Sequence, residues 1–458
     1  MEKINVHFWG GAQTVTGSKI LVETPQHNVL IDCGMFQGLK ELRQKNWDYL
    51  PFDVSQIHSV LLTHGHLDHV GYLPRLVKQG FKGRIIGTPP TLRIAEIILR
   101  DSAKVNEEDA ERANKEQYTK HHPAKPIYDT LDVEKTLRHF EPKELHETVQ
   151  LSEDVYFKFY YNGHIIGATF IELTVFGKVF VFSGDIGREK DALLYPPEKP
   201  VEADYLFIES TYGNKKHPKE DLEKILKTLI EEAIYTGGSI IVPSFTVERA
   251  QLLIHLLWQL YKKGKIPKIQ VVMDSPMGEK VLGVFKDFSK WHKLSEVEFT
   301  EMCHFIEVIE HYSETWETID DPRPKVIIAG SGMITGGRVL TYLKQLIDLP
   351  ETSVLLVGYM AEGTRGRDLL DGIKEIKIHG KYFPVAAKIS LVESLSAHAD
   401  QDELIEWLST VKNIPETVFL IHGETEGLES LSLRVEEIYN WNTYIPKLYE
   451  TYTIHIGT

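Results

Sequence analysis

The 458-residue sequence predicts an α/β protein in which a β-rich domain is interrupted by a second, more regular α/β domain. Three observations predict it. Short β-branched and aromatic runs separated by glycines fill the first part of the chain. From about residue 210 the pattern changes to strands and helices in steady alternation. After residue 387 the first style returns. The length exceeds one ordinary domain, and 42% apolar with 26% charged residues is a globular composition that excludes wholesale disorder.

In order, the strands of the first part are Ile4 to Trp9, Lys19 to Glu23, Val29 to Asp32, Ser59 to Thr63 and Ile85 to Gly87. Helical periodicity lies between and after them, at Leu73 to Lys78 and from Pro90 to about Lys115. Its charge-rich end, Asn106 to Gln117, reads as a solvated face. A second β-rich block holds Val155 to Tyr161, Thr169 to Val175, Val179 to Ser183 and Tyr205 to Glu209. The alternating segment then runs through helix Lys219 to Tyr235, strand Ser239 to Pro243, helix Val247 to Lys262 and strand Lys268 to Met273. It continues with strand Lys325 to Ala329, helix Val339 to Leu346 and strand Ser353 to Gly358, a spacing that suits a parallel sheet. The last part offers strand Ile389 to Leu391, a helix near Gln401 to Thr410 and strand Thr417 to Ile421. The pattern thus changes near residues 210 and 387, and the tail from Val435 to Thr458 docks on a partner or on its own domain.

The formal net charge is -15, from 51 Lys and Arg against 66 Asp and Glu, which argues against a general nucleic-acid coat. Residues 210–387 are nearly neutral, with 23 basic and 24 acidic side chains, so the acidity lies almost wholly outside the insert. Only Cys33 and Cys303 occur, too few for a disulfide framework, and Cys33 reads as a small buried residue. With no leader-like N-terminus and no long apolar run, a cytoplasmic protein without membrane contact is expected.

The strongest chemical signal is His64-Gly65-His66-Leu67-Asp68-His69 at the end of an apolar strand. Three imidazoles and a carboxylate at a sharp turn suit Zn²⁺. Further ligands are available where other β-runs end beside glycines: His164, Asp185 and His422.

The order Asp32, His64-x-His66-x-Asp68-His69, His164, Asp185 resembles the metallo-β-lactamase fold, a four-layer αββα sandwich. Glu209 in Ile208-Glu209-Ser210-Thr211, His398 in Ser396-Ala397-His398-Ala399-Asp400, and His422 in His422-Gly423-Glu424 resemble the three additional motifs of the β-CASP nucleases. The resemblance runs from about residue 10 to 425 and implies that residues 213–387 are an inserted β-CASP domain, with 1–212 and 388–458 the two parts of the metallo-β-lactamase domain. It implies two zinc ions, one held by His64, His66 and His164, the other by Asp68, His69 and His422, with Asp185 bridging. It also implies that Asp32 orients ligand imidazoles without binding metal.

Two zincs about 3.5 to 4 Å apart can bridge a hydroxide and neutralise the charge of a phosphodiester. On this reading Asp68 belongs to the catalytic set, His398 is the general acid, and Glu209 holds its imidazole and raises its pKa. In the insert, Ala329 to Arg338 is a glycine-rich stretch between a strand and a helix, a place where backbone N–H groups receive phosphate. Ser331, Gly332 and Thr335 are its substrate-binding candidates, joined by Arg365 and Arg367 in Gly358-Tyr359-Met360-Ala361-Glu362-Gly363-Thr364-Arg365-Gly366-Arg367. Arg249 is either a further phosphate ligand or half of a helix-surface ion pair.

The expected activity is zinc-dependent hydrolysis of single-stranded RNA, cutting internally, with weak sequence preference because no appended RNA-binding module is recognised. DNA is the alternative polymer. A small-molecule ester, thioester or phosphodiester hydrolase is the runner-up, against which the implied groove of the insert speaks. A non-catalytic RNA-binding scaffold subunit is the third reading and predicts missing ligands. The sequence does not decide between monomer and homodimer.

Overall fold

The computed structural model describes residues 2–116, 123–244, 247–275 and 277–456. Gln117 at the end of the expected charged helix, Phe245 and Thr246 before Arg249, and Gly457 and Thr458 of the tail lie outside the described residues. The chain divides into two compact units. The first comprises residues 1–190, 196–216 and 398–458, the second 191–195 and 217–397.

The first unit is built on two seven-stranded sheets. Alternation decides which side chains lie between them. In Val155–Tyr161 every second residue is buried, and Phe157 and Phe159 meet Phe8, Val22 and Ile31 of the other sheet in one apolar cluster. The outward face of the first sheet, with Leu21, Leu30, Val60 and Ile85, is covered by helices Leu73–Lys78, Pro89–Glu116 and Thr130–Leu137. That of the second sheet, with Val181, Leu206 and Leu420, is covered by Gln401–Leu408 and Thr425–Tyr439. The result is an αββα sandwich. The tail docks on its own domain, because Thr451–Ile456 pairs antiparallel with Glu2–Gly10 and closes that side of the first sheet.

The second unit carries a six-stranded parallel sheet. Its order is Glu307–Ile309, Gln270–Asp274, Lys325–Ala329, Ser239–Pro243, Ser353–Val357, Lys388–Val392. One expected boundary changes here. The strand at Ile389 to Leu391, read as the start of the returning domain, pairs instead with Ser353–Val357, so the insert ends near Ala397 and not at residue 387. A strand's own sequence carries its propensity but not the identity of its neighbour. After Ser239–Pro243 the chain moves to one side of the sheet, and after Lys325–Ala329 it moves to the other. The C-terminal ends of these two adjacent strands therefore form a topological switch point, where open α/β sheets place ligands.

At that edge Asp274 is fully buried. Its carboxylate accepts hydrogen bonds from Thr315 Oγ1 (2.7 Å) and Tyr342 OH (2.6 Å) and pairs with Arg338. Arg338 also donates to the carbonyls of Ile309 (3.3 Å) and Glu310, which fixes the start of helix Val339–Leu346. Among the described residues, no helix is long and apolar enough to cross a membrane.

Replacing Asp274 by alanine should strand the largely buried Arg338 guanidinium and cost about 3 to 5 kcal/mol. Chemical unfolding followed by hydrogen exchange should localise that loss to the second unit. An unchanged unfolding midpoint would contradict this account of the insert's edge.

Candidate metal centre

The ends of several strands bring the polar residues of the first unit together. Ser59–Leu61 runs into Thr63 and His64, Val155–Tyr161 into His164, Lys178–Phe182 into Asp185, and Thr417–Ile421 into His422, while Glu209 ends Tyr205–Glu209. Helix Leu67–Val70 carries Asp68 and His69, and His398 precedes Gln401–Leu408.

Two groups of ligand atoms result. His64, His66, His164 and Asp185 form one; Asp68, His69 and His422 form the other. Asp185 faces both. Its Oδ2 lies 3.5 Å from His64 Nε2 and 3.5 Å from His164 Nε2, whereas Oδ1 lies 3.3 Å from His69 Nε2 and 3.5 Å from His422 Nε2. Asp68 Oδ2 is 3.8 Å from His422 Nε2 and 3.9 Å from His69 Nε2.

Within this cluster His69 Nε2 and Asp185 Oδ1 are buried and have no hydrogen-bond partner among the described residues, although they are neighbours. Burying polar atoms in that state is costly unless something else satisfies them. Nitrogen and carboxylate donors in two groups suit a divalent metal such as Zn²⁺, so the residues fit the group the fold calls for.

Asp32 supports the cluster from beneath. Its backbone is left-handed (φ 55°), a conformation that aspartate tolerates. The carboxylate accepts from Thr63 N (2.8 Å), Thr63 Oγ1 (2.8 Å) and His69 Nδ1 (2.7 Å), which turns His69 Nε2 toward Asp185. Thr63 is a residue that the sequence reading missed, because a threonine at a strand end carries no metal signature.

The charges interact strongly. Burial would lower the pKa of His69, but the Asp185 and Asp32 carboxylates outweigh it and hold the imidazole well above its usual value. Burial and the neighbouring His69 push His64 well below the usual value. Burial would raise Asp185, yet His422, His69 and His64 hold it well below the carboxylate range.

Beside these ligands, Glu209 and His398 form a third group with Asp185. Glu209 is fully buried, and its oxygens accept from Ile186 N (2.7 Å) and Thr211 N (3.3 Å). His398 Nδ1 approaches the same oxygens at 3.1 and 3.2 Å. With Nδ1 turned to Glu209, Nε2 faces the metal-ligand cluster, 3.9 Å from Asp185 Oδ2.

The substrate-binding candidates of the second unit are tied into their local structure. Ser331 and Thr335 lie in the loop that leaves the switch point. There Ser331 Oγ accepts from Thr335 N (2.9 Å) and Gly336 N (3.2 Å), and Gly332 is buried. Arg365 clamps that loop through carbonyls, donating to Lys377 O (2.6 Å), Ile334 O (3.1 Å) and Thr335 O (3.3 Å). Arg367 pairs with Asp371 one turn along its helix at 3.2 Å. Arg249 is not a surface ion-pair residue. It is buried and donates to Val357 O (3.2 Å), and a Cβ on the left-handed Gly358 would meet its guanidinium at 2.8 Å.

Comparison with known proteins agrees with this architecture. Residues 15–231 match the metallo-beta-lactamase superfamily, residues 250–369 the Beta-Casp domain, and residues 382–446 the Zn-dependent metallo-hydrolase RNA specificity domain. The chain is 35% identical to ribonuclease TTHA0252 of Thermus thermophilus, over 94% of its own length and 96% of that protein. The chain belongs to the β-CASP ribonuclease family. It is a metal-dependent hydrolase by that membership. An RNase J-like protein of Methanocaldococcus jannaschii is 31% identical over 96% of this β-CASP chain and 97% of its own length. The transcription termination factor FttA of Methanosarcina mazei is 30% identical over 94% and 69%. A crystal structure of a protein of unknown function from Enterococcus faecalis V583 shares the fold, with a TM-score of 0.55 at 12% identity over 99% of this chain and 100% of that one.

The Asp185 and Asp32 carboxylates that favour a charged His69 also favour a cation at its Nε2, so proton and metal should compete there. Loading near neutral pH should release protons, and affinity should rise with pH through the range in which His69 titrates. Calorimetry in buffers of different ionisation enthalpy measures this, and binding without proton release would contradict the electrostatics above. Asp32→Asn should weaken metal binding about 10- to 100-fold, because it removes the negative charge and sets an NH2 donor where Oδ2 accepts from His69. Competition with a chelator measures the loss, and unaltered affinity would contradict the role given to Asp32.

Proposed function

We propose that this β-CASP chain is a zinc-dependent endonuclease acting on single-stranded RNA, with two zinc ions held by His64, His66 and His164 and by Asp68, His69 and His422. The observation that carries the reading is Asp185, whose two carboxylate oxygens face the two ligand groups separately. RNA as the substrate class is supported by the ribonuclease names of the relatives and by the RNA specificity domain match. We place the protein in the cytoplasm, a reducing medium that suits its two free cysteines.

When bound, two zinc ions supply Lewis acidity that neutralises phosphate charge and acidifies a water. The chain supplies the rest. Asp185 and Asp68 bring anionic oxygens to the cluster, and Asp32 fixes the tautomer of His69 by accepting from Nδ1. Glu209 grips His398 through Nδ1, which leaves Nε2 as the atom that would pass a proton to the leaving oxygen. The loop of Ser331, Gly332 and Thr335, clamped by Arg365, would meet a backbone phosphate of the substrate, and Arg367 would add positive charge to that contact.

Cleavage of internally and terminally labelled RNA by the zinc-loaded protein tests this reading. Products of intermediate length are expected, and His398→Ala should lower turnover about 10²- to 10⁴-fold while both zincs stay bound. Turnover confined to small esters or thioesters would overturn the nuclease reading. Unimpaired cleavage by His398→Ala, or loss of its metal, would overturn the assignment of the general acid.

A further inference from the structure

Lys19 lies 2% exposed at the start of strand Lys19–Glu23. A buried ammonium is rare unless paired, and here neutral backbone acceptors stand where a carboxylate would be expected. Two backbone carbonyls take its protons, Gly17 O at 2.9 Å and Gly34 O at 2.5 Å. The rings of Phe36 and Tyr72 lie 4.5 and 5.2 Å away, completing an aromatic cage. Burial lowers the lysine to about 8, against the opposing pull of Cys33.

The two carbonyls belong to segments that hold one ligand group and not the other. Residues 11–18 place Gly11 O where it accepts from His422 N (2.6 Å), and Ser18 N donates to Asp68 O (2.9 Å). Residues 33–35 donate to the same turn, Cys33 N to His69 O (2.7 Å) and Met35 N to Leu67 O (3.1 Å). The segments are joined by Gly34 N donating to Ser18 O (2.9 Å). Gly34 packs so closely that a Cβ would sit 1.5 Å from Asp68 O. Thus the backbones of Asp68, His69 and His422 all rest on the pair of segments that Lys19 binds together. The chain around His64 and His164 is tied elsewhere, through Leu62 N to Ile86 O (2.8 Å) and Asn162 N to Ala168 O (3.0 Å).

We propose that Lys19 is a positioning residue chiefly for the second metal site, its ammonium locking the 11–18 and 33–35 segments so that Asp68, His69 and His422 converge. The inference rests on the two-metal reading above. Removing the ammonium frees two carbonyls and loosens that turn, which His66 joins at its start through its carbonyl, while the chain around His64 and His164 keeps its support.

The test is zinc titration of stripped protein against a chromophoric chelator, comparing wild type, Lys19→Met and Val175→Ala. The last is a buried residue of the second sheet whose truncation lowers stability without touching either segment. Lys19→Met should bind its first equivalent like wild type and its second about 10- to 100-fold more weakly, the range found when ligand-orienting groups are removed. Val175→Ala should bind both like wild type. If Lys19→Met takes up both equivalents normally, or weakens both alike, the inference is overturned. Should that variant not fold, Lys19→Gln carries the same comparison: a selectively weak second equivalent supports the role, and normal uptake of both overturns it. A wild-type protein that binds fewer than two equivalents overturns the two-metal reading itself, a result separate from any behaviour of the variants.

Discussion

Asp185 sits where four imidazoles and a second carboxylate converge, with each of its oxygens turned to a different set of nitrogens. Bringing these groups together out of water is unfavourable unless a cation joins them, and most of the local architecture serves to prevent their dispersal. Asp32 and Thr63 hold His69 from below, Glu209 holds His398 from the side, and the left-handed backbone of His422 (φ 48°) is fixed by its bond to Gly11 O. Backbone strain of this kind persists only where the surroundings over-determine it.

The sandwich makes that convergence possible. Two sheets packed through Phe157, Phe159, Phe182 and Phe207 give a rigid platform whose strand ends are fixed in register. His64, His164, Asp185 and His422 follow those ends closely, and Asp68 and His69 stand on the short helix Leu67–Val70, so most ligand positions follow from sheet geometry. Covering helices on both outer faces bury the remaining apolar surface, and Thr451–Ile456 pairs along Glu2–Gly10, which would otherwise present an open edge. In the insert the same economy holds on a parallel sheet, where Asp274 and Arg338 anchor the helix that follows the glycine-rich loop.

Much of this was legible in the residues. The strand ending at His64 and the His-x-His-x-Asp-His turn are local patterns, and local patterns encode local structure and chemistry. Strands Lys19–Glu23, Val155–Tyr161 and Ser239–Pro243 and helix Leu73–Lys78 appear at the limits their periodicity gives. What could not be read is pairing across distance. Lys388–Val392 has the composition of a strand, but its partner Ser353–Val357 is a property of the fold. Arg249 reads as a helix-surface cation because its burial depends on Gly358, more than a hundred residues later. Lys19 reads as the polar start of a strand, and only the approach of Gly34 turns it into a brace.

The central claim is that two metal ions lie on either side of Asp185. Anomalous diffraction from zinc-loaded crystals, recorded on both sides of the zinc absorption edge, measures this most directly. Two peaks are predicted, one among His64, His66 and His164 and one among Asp68, His69 and His422, each within bonding distance of a different Asp185 oxygen. A single peak, or peaks that leave Asp185 uncoordinated, would contradict the account.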